Sequence, residues 1–425
     1  MMAWLVVLLP LGLLIGGFPV FLLLLVTAVV ALMTFEGLSL TQVHLTLYGA
    51  IDKFPLLAVP FFLFAGELMA RGSLARRIVD LMLAIVGWMR GGLALSVVGT
   101  STVFGALSGS SVATIGAVGR LLYPRMKSAG YDDRFSYGLI TSAGSIDIMI
   151  PPSITMILYS IAAGQSITQM FMAGIGPGLV MAGVMAIYIV IVARGFRLVE
   201  TEPFRPARLV HALRDSGWAL GAPVIILGGI YAGIVSPTEA AGIACVYAMF
   251  VSMVVYREIA LGELWDIALS TVYLTAQVMI IVAAAAVFSW LLTISGAPQA
   301  LAAWMVGLQA EPWVILLLIN VLLLVVGCFI DPASAVLVLT PLLLPLAKAA
   351  GVDPVHFGII MTLNLAIGMF TPPFGLNIFM TQAMFKPRLE LIYRGLIPFI
   401  IINLITLALV TYFPEISLYL MRKLT

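Results

Sequence analysis

Charge is what this sequence has least of. Only 9% of its 425 residues are Asp, Glu, Lys or Arg, against 62% hydrophobic, and the formal net charge is +2. So little charge cannot cover the surface of a soluble globule, and the composition reads as an all-α, multi-pass integral membrane protein embedded in a lipid bilayer. The small positive excess leaves no footprint for nucleic acid. Cysteine is nearly absent: Cys245 and Cys328 stand alone in apolar segments, which excludes a disulfide framework or thiolate metal centre and reads as two buried thiols. The three histidines, His44, His211 and His356, fall in an arm, a linker and a segment start, peripheral positions all. No GxxxxGK[ST] loop occurs, so hydrolysis of ATP by that route is excluded and no organic cofactor is implied. Residues 3–33 carry no charge, no preceding basic residue and no small-residue cleavage site; they are expected to be a retained span rather than a signal peptide.

What the sequence has instead is a segment written twice. Gly105 to Ser160 and Gly327 to Thr381 carry the same features in the same order: an Ala-Gly turn (Ala129-Gly130, Ala350-Gly351), an Asp (Asp132, Asp353), an aromatic-Gly pair (Tyr137-Gly138, Phe357-Gly358) and a Pro-Pro break (Pro151-Pro152, Pro372-Pro373). Duplicated, interrupted membrane segments are the sequence pointer to a transporter's binding site.

A spanning helix needs roughly 20 apolar residues. Residues 3–33 and Phe54–Ala70 meet that length, with an interfacial arm at 34–54 (Glu36, Asp52, Lys53) between them and a surface helix at Leu74–Arg90 after them. Gly92–Leu107 and Val112–Tyr123 are too short to cross and flank Ser108-Gly-Ser-Ser111, which predicts a re-entrant hairpin. Phe135–Ala163 is long enough but is interrupted at Gly144–Asp147 and at Pro151–Ser153, where proline removes a ladder donor. Met170–Ala193 spans, and a polar linker runs from Leu198 to Asp215. Gly217–Ile234 and Pro237–Tyr256 are joined by a capping box, Ser236-Pro-Thr-Glu239. The second half repeats the plan with a span at Asp266–Leu292 and an arm at Ala297–Leu308. Its hairpin joins Trp313–Gly327 to Ala333–Ala347, a broken span covers Phe357–Thr381, and the last span is Gly395–Tyr412. The expected units are 1–91 (first scaffold helices and arm), 92–163 (first hairpin and broken helix), 164–295 (scaffold helices and linker), 296–310 (second arm), 311–382 (second hairpin and broken helix) and 383–425 (C-terminal helix). With a cytoplasmic N-terminus, Arg71, Arg76, Arg77, Arg125, Lys127, Arg134, Arg194, Arg197, Arg205, Arg208, Arg214, Arg257, Lys386, Arg388 and Arg394 lie inside, whereas Lys53, Lys348, Arg422 and Lys423 lie outside. That bias satisfies the positive-inside rule and makes the two repeats antiparallel.

Helix breaks at mid-membrane expose free carbonyls and free amides together. Carbonyl ends with side-chain oxygens suit a hard cation such as Na⁺, and helix N-termini suit an anionic substrate group. The oxygens near the first tip and break are Ser108, Ser110, Ser111, Thr114, Ser145, Asp147 and Ser153; near the second they are Asp331, Ser334, Thr340, Asn364, Thr371 and Asn377. Gly109, Gly144 and Gly375 stand at the bends. A membrane serine otherwise bonds its own helix or a neighbour. Asp147 and Asp331 differ, because a carboxylate at membrane depth is costly, although Asp331 followed by Pro332 also reads as a helix cap. A catalytic pair of aspartates is the rival from another class, an intramembrane protease, but Ser-Ile-Asp147-Ile and Phe-Ile-Asp331-Pro lack a Gly-x-Gly-Asp setting, and no enzyme is expected.

At Ser108-Gly-Ser-Ser111 with Ala113-Thr114, Ile150-Pro-Pro-Ser153, Ser236-Pro-Thr-Glu-Ala240, Asp353-Pro-Val-His-Phe-Gly358 and Pro372-Pro-Phe-Gly-Leu-Asn377, the chain resembles the large membrane subunit of tripartite ATP-independent periplasmic (TRAP) transporters, the DctM-like family. The resemblance implies an inverted-repeat, elevator-type secondary transporter of the bacterial or archaeal inner membrane, with two re-entrant hairpins and two broken transmembrane helices. It implies Na⁺ as coupling ion, a periplasmic binding protein delivering an organic (carboxylate) anion, and a small four-helix membrane subunit, here expected as a separate chain. Carried onto these residues, one Na⁺ site is Ser108, Gly109, Ser111, Gly144, Ser145 and Asp147, and the other Asp331, Ala333, Ser334, Asn364, Thr371 and Gly375. Ser110, Pro152, Ser153, Pro373 and Asn377 are expected to face substrate. Asp147 departs from the family pattern, which has a small or apolar residue before Ile-Pro-Pro-Ser. A stand-alone divalent-anion/Na⁺ symporter of the same architecture is the alternative within transport.

Overall fold

In lipid every backbone N–H and C=O must find its partner within the protein, and apolar runs therefore fold as helices. The computed structural model describes residues 8–10, 12–13, 15–35, 39–196, 203–307 and 311–424, and every regular element among them is helical. Glu36, Arg197, the first residues of the expected linker and the start of the first span lie outside the described residues. Six helices are long and apolar enough to cross a membrane: Phe54–Arg71, Ile167–Ala193, Pro237–Val255, Leu261–Ile294, Pro332–Ala349 and Leu389–Tyr412. A seventh crossing is the pair Asp133–Met149 and Ile154–Ala163, bent by 43°. The protein is a multi-pass membrane protein.

Several boundaries differ from the sequence reading. Leu198–Asp215 is not linker throughout: a helix begins at Pro206, where proline at the first helical position is preorganised, and runs to Tyr231. Its charged residues face outward while Ala212, Ser216 and Ala219 are buried, on the side that packs against Leu74–Val86. The second hairpin's second arm, Pro332–Ala349, reaches 18 residues, long enough to cross. A short helix, Glu415–Leu424, follows the last span and packs on Ile167–Ala193. His356 is not peripheral but 2% exposed, its Nε2 lying 3.3 Å from the Thr411 carbonyl oxygen. Cys245 and Cys328 are free and buried, as their surroundings predict. The capping box forms with both arms in place, the Glu239 carboxylate accepting from Ser236 N at 2.7 Å and Ser236 Oγ from Glu239 N at 3.3 Å.

One polar knot ties the frame on the arginine-rich side. Glu258 accepts from Ser73 N at 2.7 Å and also from the Ser73 hydroxyl. Arg77 Nη2 donates to Glu258 at 3.4 Å, Arg77 Nη1 pairs with Asp215, and the guanidinium sits 3.8 Å over the Tyr256 ring. Burial alone pushes the Glu258 carboxyl up, but the Ser73 donors and the Arg77 charge outweigh it and hold the group below its ordinary 4.5. A depressed carboxylate adds stability above its unfolded value and loses it as pH falls through the folded one. The melting temperature of the wild type in detergent should thus drop as pH is taken below 4.5, and Glu258→Gln should lose that component of the drop.

The two repeats interlock. Each has a helical hairpin (Gly92–Ser108 with Ser111–Ser128; Pro312–Gly327 with Pro332–Ala349) followed by a broken helix (Asp133–Ala163; Pro354–Phe385), and both Pro-Pro bonds are cis. The second arm of each hairpin packs against the half-helix beyond the break of the other repeat: Ser111–Ser128 on Leu376–Phe385, and Pro332–Ala349 on Ile154–Ala163. The broken helices run antiparallel. Thr141 near the start of one meets Thr381 near the end of the other at 2.8 Å, and Tyr159 near the end of the first donates to the Pro354 carbonyl at the start of the second, at 2.5 Å. Sequence order groups Ile167–Ala193 with the scaffold and Leu389–Tyr412 with a separate terminal unit. These two helices also pack on each other and on the broken helices, where Gly174, Gly178 and Gly395 allow close approach.

Candidate functional site

The first hairpin tip and the first helix break meet at a buried carboxylate. Gly92–Ser108 ends at Gly109, whose φ of 57° lets the chain reverse, and Ser110 caps the next helix by accepting from Ala113 N at 3.4 Å. The reversal sets Ser108 and Thr114 beside Asp147, which lies in the short helix Ile146–Met149 between the two interruptions. Ser108 Oγ donates to Asp147 Oδ2 at 2.9 Å and Thr114 Oγ1 donates to the same oxygen at 2.5 Å, the two hydroxyls being 3.4 Å apart. Asp147 is fully buried, forms no ion pair among the described residues, and its Oδ1 has no hydrogen-bond partner. Held by hydroxyl donors but no cationic partner, the ionised carboxylate still costs several kcal/mol of desolvation in such a place. An orphaned oxygen beside two hydroxyls fits a small hard cation, for which these groups are suitable ligands.

Alignment of the two Pro-Pro breaks explains how room for this carboxylate arises. Asp147 and Gly368 both stand four residues before the first proline. In the second repeat a Cβ on Gly368 would lie 2.5 Å from Gly327 C, so two helix backbones touch. In the first repeat Gly105, the counterpart of Gly327, lies against Asp147: a Cβ there would fall 2.8 Å from Asp147 Cα and 3.0 Å from Oδ1. The bare backbone of Gly105 thus takes up the volume of the carboxylate.

The other expected ligands are distributed. Ser111 Oγ donates to Asn377 Oδ1 at 2.7 Å, and Asn377 Nδ2 donates to the Thr141 carbonyl at 3.2 Å, so the first tip is tied to the second break. Ser145 Oγ donates to its own helix at Ser142 O, 2.6 Å, and Gly144 lies against Ile115 of the hairpin. A Cβ on Gly109 would lie 3.0 Å from the Pro152 carbonyl oxygen, which places the tip on the break; Ser153 is buried and starts the next helix without a side-chain cap bond. In the second repeat Asp331 spends both oxygens on Ser334, accepting from N at 3.0 Å and Oγ at 2.6 Å, with Pro332 and Ala333 in the turn it caps. Thr340 and Thr371 donate to carbonyls four residues back in their own helices. Asn364 Nδ2 donates to Asn320 Oδ1 at 2.8 Å, its own Oδ1 being buried and unpartnered. No hydrogen bond joins Asp331 to Asn364. Gly375 packs against the Met369 carbonyl, and the Pro373 carbonyl accepts from Tyr393 at 3.1 Å. Sequence reasoning missed Gly105, Asn320 and Thr411; Asn320, a lone amide in an otherwise apolar helix and bonded to Thr411 Oγ1 at 3.1 Å, was the visible signal.

Among the described residues, clefts open on opposite faces. One, of about 950 Å³, reaches Ser110 from the side that carries Arg71 and Arg76, between those residues, the hairpin arm and Leu261–Ile294. Another, of about 430 Å³, lies among Lys53–Pro55, Gly164–Thr168 and Ser236–Thr238.

Comparison with known proteins agrees with this architecture. Residues 3–416 match the family described as tripartite ATP-independent periplasmic transporter, DctM component. The ectoine TRAP transporter large permease protein of Halomonas elongata is 44% identical over 413 residues, covering 96% of each chain. The C4-dicarboxylate TRAP transporter large permease protein of Pseudomonas aeruginosa is 40% identical over 389 residues, covering 92% of this chain and 91% of that one. Among solved structures, the YdaH transporter of Alcanivorax borkumensis has the same fold, with a TM-score of 0.66 over 97% of this chain and 99% of that one at 16% identity. The chain belongs to the DctM family, the large permease component of tripartite ATP-independent periplasmic transporters.

Proposed function

We propose that this permease imports an organic anion across the inner membrane, driven by Na⁺, with a periplasmic binding protein delivering the substrate and a separate small membrane subunit completing the assembly. The single observation that carries the coupling is Asp147: wholly buried, without a basic partner, one oxygen free, at the contact of hairpin tip and helix break. In this reading Na⁺ is co-transported cargo, held by Asp147 with Ser108 and Thr114. Asn364, with its free buried Oδ1, is the better anchor for a second cation than Asp331, whose oxygens are committed to capping. The substrate class follows the relatives' names, ectoine and C4-dicarboxylates, both carboxylate-bearing. Its place is the side of the first tip where Ser110, Pro152 and Ser153 lie, with Asn377 reaching in from the other repeat.

In this reading the protein moves as two groups of helices. The hairpins, broken helices, Ile167–Ala193 and Leu389–Tyr412 travel together as the elevator body; the frame comprises the helices tied by the Glu258 knot and Leu261–Ile294. The clefts lie where those two groups adjoin, which suits sliding of one against the other.

The test is uptake of labelled carboxylates into proteoliposomes holding the complex, at graded external Na⁺. Wild type should show saturable Na⁺ activation, and Ser108→Ala should raise the half-activating concentration about tenfold, the cost of one hydrogen-bonding ligand to a charged centre. Asp331→Ala should lower thermal stability by about 1 kcal/mol through loss of the cap while leaving that concentration within twofold. Uptake indifferent to Na⁺ in the wild type ends the coupling proposal.

A further inference from the structure

The larger cleft is distinguished by which of its charges are left over. Arg71, Arg76, Arg120, Glu67 and Glu258 all line it. Glu67 lies 3.8 Å from Arg71 on the same helix, and Glu258 is taken up by Ser73 and Arg77. Arg76 and Arg120 form no ion pair among the described residues, and both are exposed. They stand on two elements that pack together, Arg76 on Leu74–Val86 and Arg120 on the hairpin arm Ser111–Ser128. Along that arm Ser110, Ala113, Ala117 and Arg120 follow at helical spacing on one face, and all four line the cleft. At 1.5 Å per residue the arginine stands about 15 Å from the tip, with only small side chains between.

We propose that Arg76 and Arg120 form an anion-collecting mouth: two uncompensated guanidinium groups that draw the carboxylate or sulfonate of the substrate along the small-residue wall from Ser110 to the cytoplasm. The role rests on the reading of this protein as an importer of organic anions. Low-dielectric walls on both sides focus the field of the pair, so its effect at the tip exceeds that of two charges in open water. Arginine suits the task because its planar fork meets a carboxylate or sulfonate with two parallel hydrogen bonds.

The experiment reads the field directly and needs neither the substrate nor Na⁺. Cysteine is placed at Ser110, and separately at Ala113, in the full complex in inside-out vesicles, with buried Cys245 and Cys328 left in place. Rates of modification are compared for the anionic 2-sulfonatoethyl and the cationic 2-(trimethylammonio)ethyl methanethiosulfonates. The anionic-to-cationic rate ratio should fall about tenfold when Arg76→Gln and Arg120→Gln are combined, less for either alone, and Lys at both positions should retain most of it. A ratio changed by less than twofold at both reporter positions, or no modification of either from the cytoplasmic face, overturns the proposal. Na⁺-driven uptake by the wild-type complex, measured in parallel, reports separately on the transport reading.

Discussion

Replacing Asp147 by asparagine is expected to abolish Na⁺-driven uptake at physiological Na⁺ and to raise the half-activating concentration about a hundredfold or more. Asparagine keeps the shape, and its carbonyl can still accept from Ser108 and Thr114, which both bond to one oxygen of the aspartate. What it removes is the negative charge. A buried carboxylate bound to a cation and then deprived of its charge loses about 3–5 kcal/mol of interaction, hence about two to three and a half powers of ten in affinity. Folding should suffer little, because the variant keeps the side chain's shape and its hydroxyl partners while removing a buried acidic group that has no cationic partner. Normal expression with lost Na⁺ activation is thus the expected pattern. Unchanged Na⁺ activation in Asp147→Asn contradicts the site.

The second large effect is structural. A Cβ at Gly138 would lie 2.2 Å from the Gly395 carbonyl oxygen, and one at Gly395 would lie 2.2 Å from the Arg134 carbonyl oxygen. The contact is backbone on backbone, the close approach that small residues permit between membrane helices. No side chain can rotate away to relieve it. Gly138→Val or Gly395→Val should therefore separate Leu389–Tyr412 from Asp133–Ala143, costing about 1–3 kcal/mol or more at each site. The expected result is a large fall in melting temperature of the detergent-solubilised protein, or no folded protein at all. Gly242→Ala is the control: its Cβ meets nothing within 4 Å, and the change should be neutral or slightly stabilising. Equal destabilisation by all three changes would show that the effect does not come from this contact.

The repeat was legible because the features that make it, Pro-Pro, Ala-Gly, Asp and aromatic-Gly, are each dictated by local backbone geometry and so leave a local mark. Helix breaks, hairpin tips and the Ser236–Glu239 cap belong to the same class. Less legible was anything set by one helix meeting another. The helix from Pro206 reads as linker because its exposed Arg208, His211 and Arg214 dominate the composition, whereas Ala212, Ser216 and Ala219 find a partner only in three dimensions. Asp331 reads both as a ligand, from its position at a tip, and as a cap before Pro332; the cap is what the geometry displays, each oxygen accepting from Ser334. Asp147 gave the opposite lesson. As an isolated letter it was an anomaly; set against Gly368 in the other repeat, with Gly105 making room, it is a point where the two repeats differ.

The most direct test of the account is uptake into proteoliposomes under an imposed Na⁺ gradient, with the cognate binding protein and small subunit each supplied or withheld. The account predicts accumulation of a carboxylate only when Na⁺, binding protein and small subunit are all present. Accumulation with Na⁺ alone would contradict it and make this permease a stand-alone symporter built on the same fold.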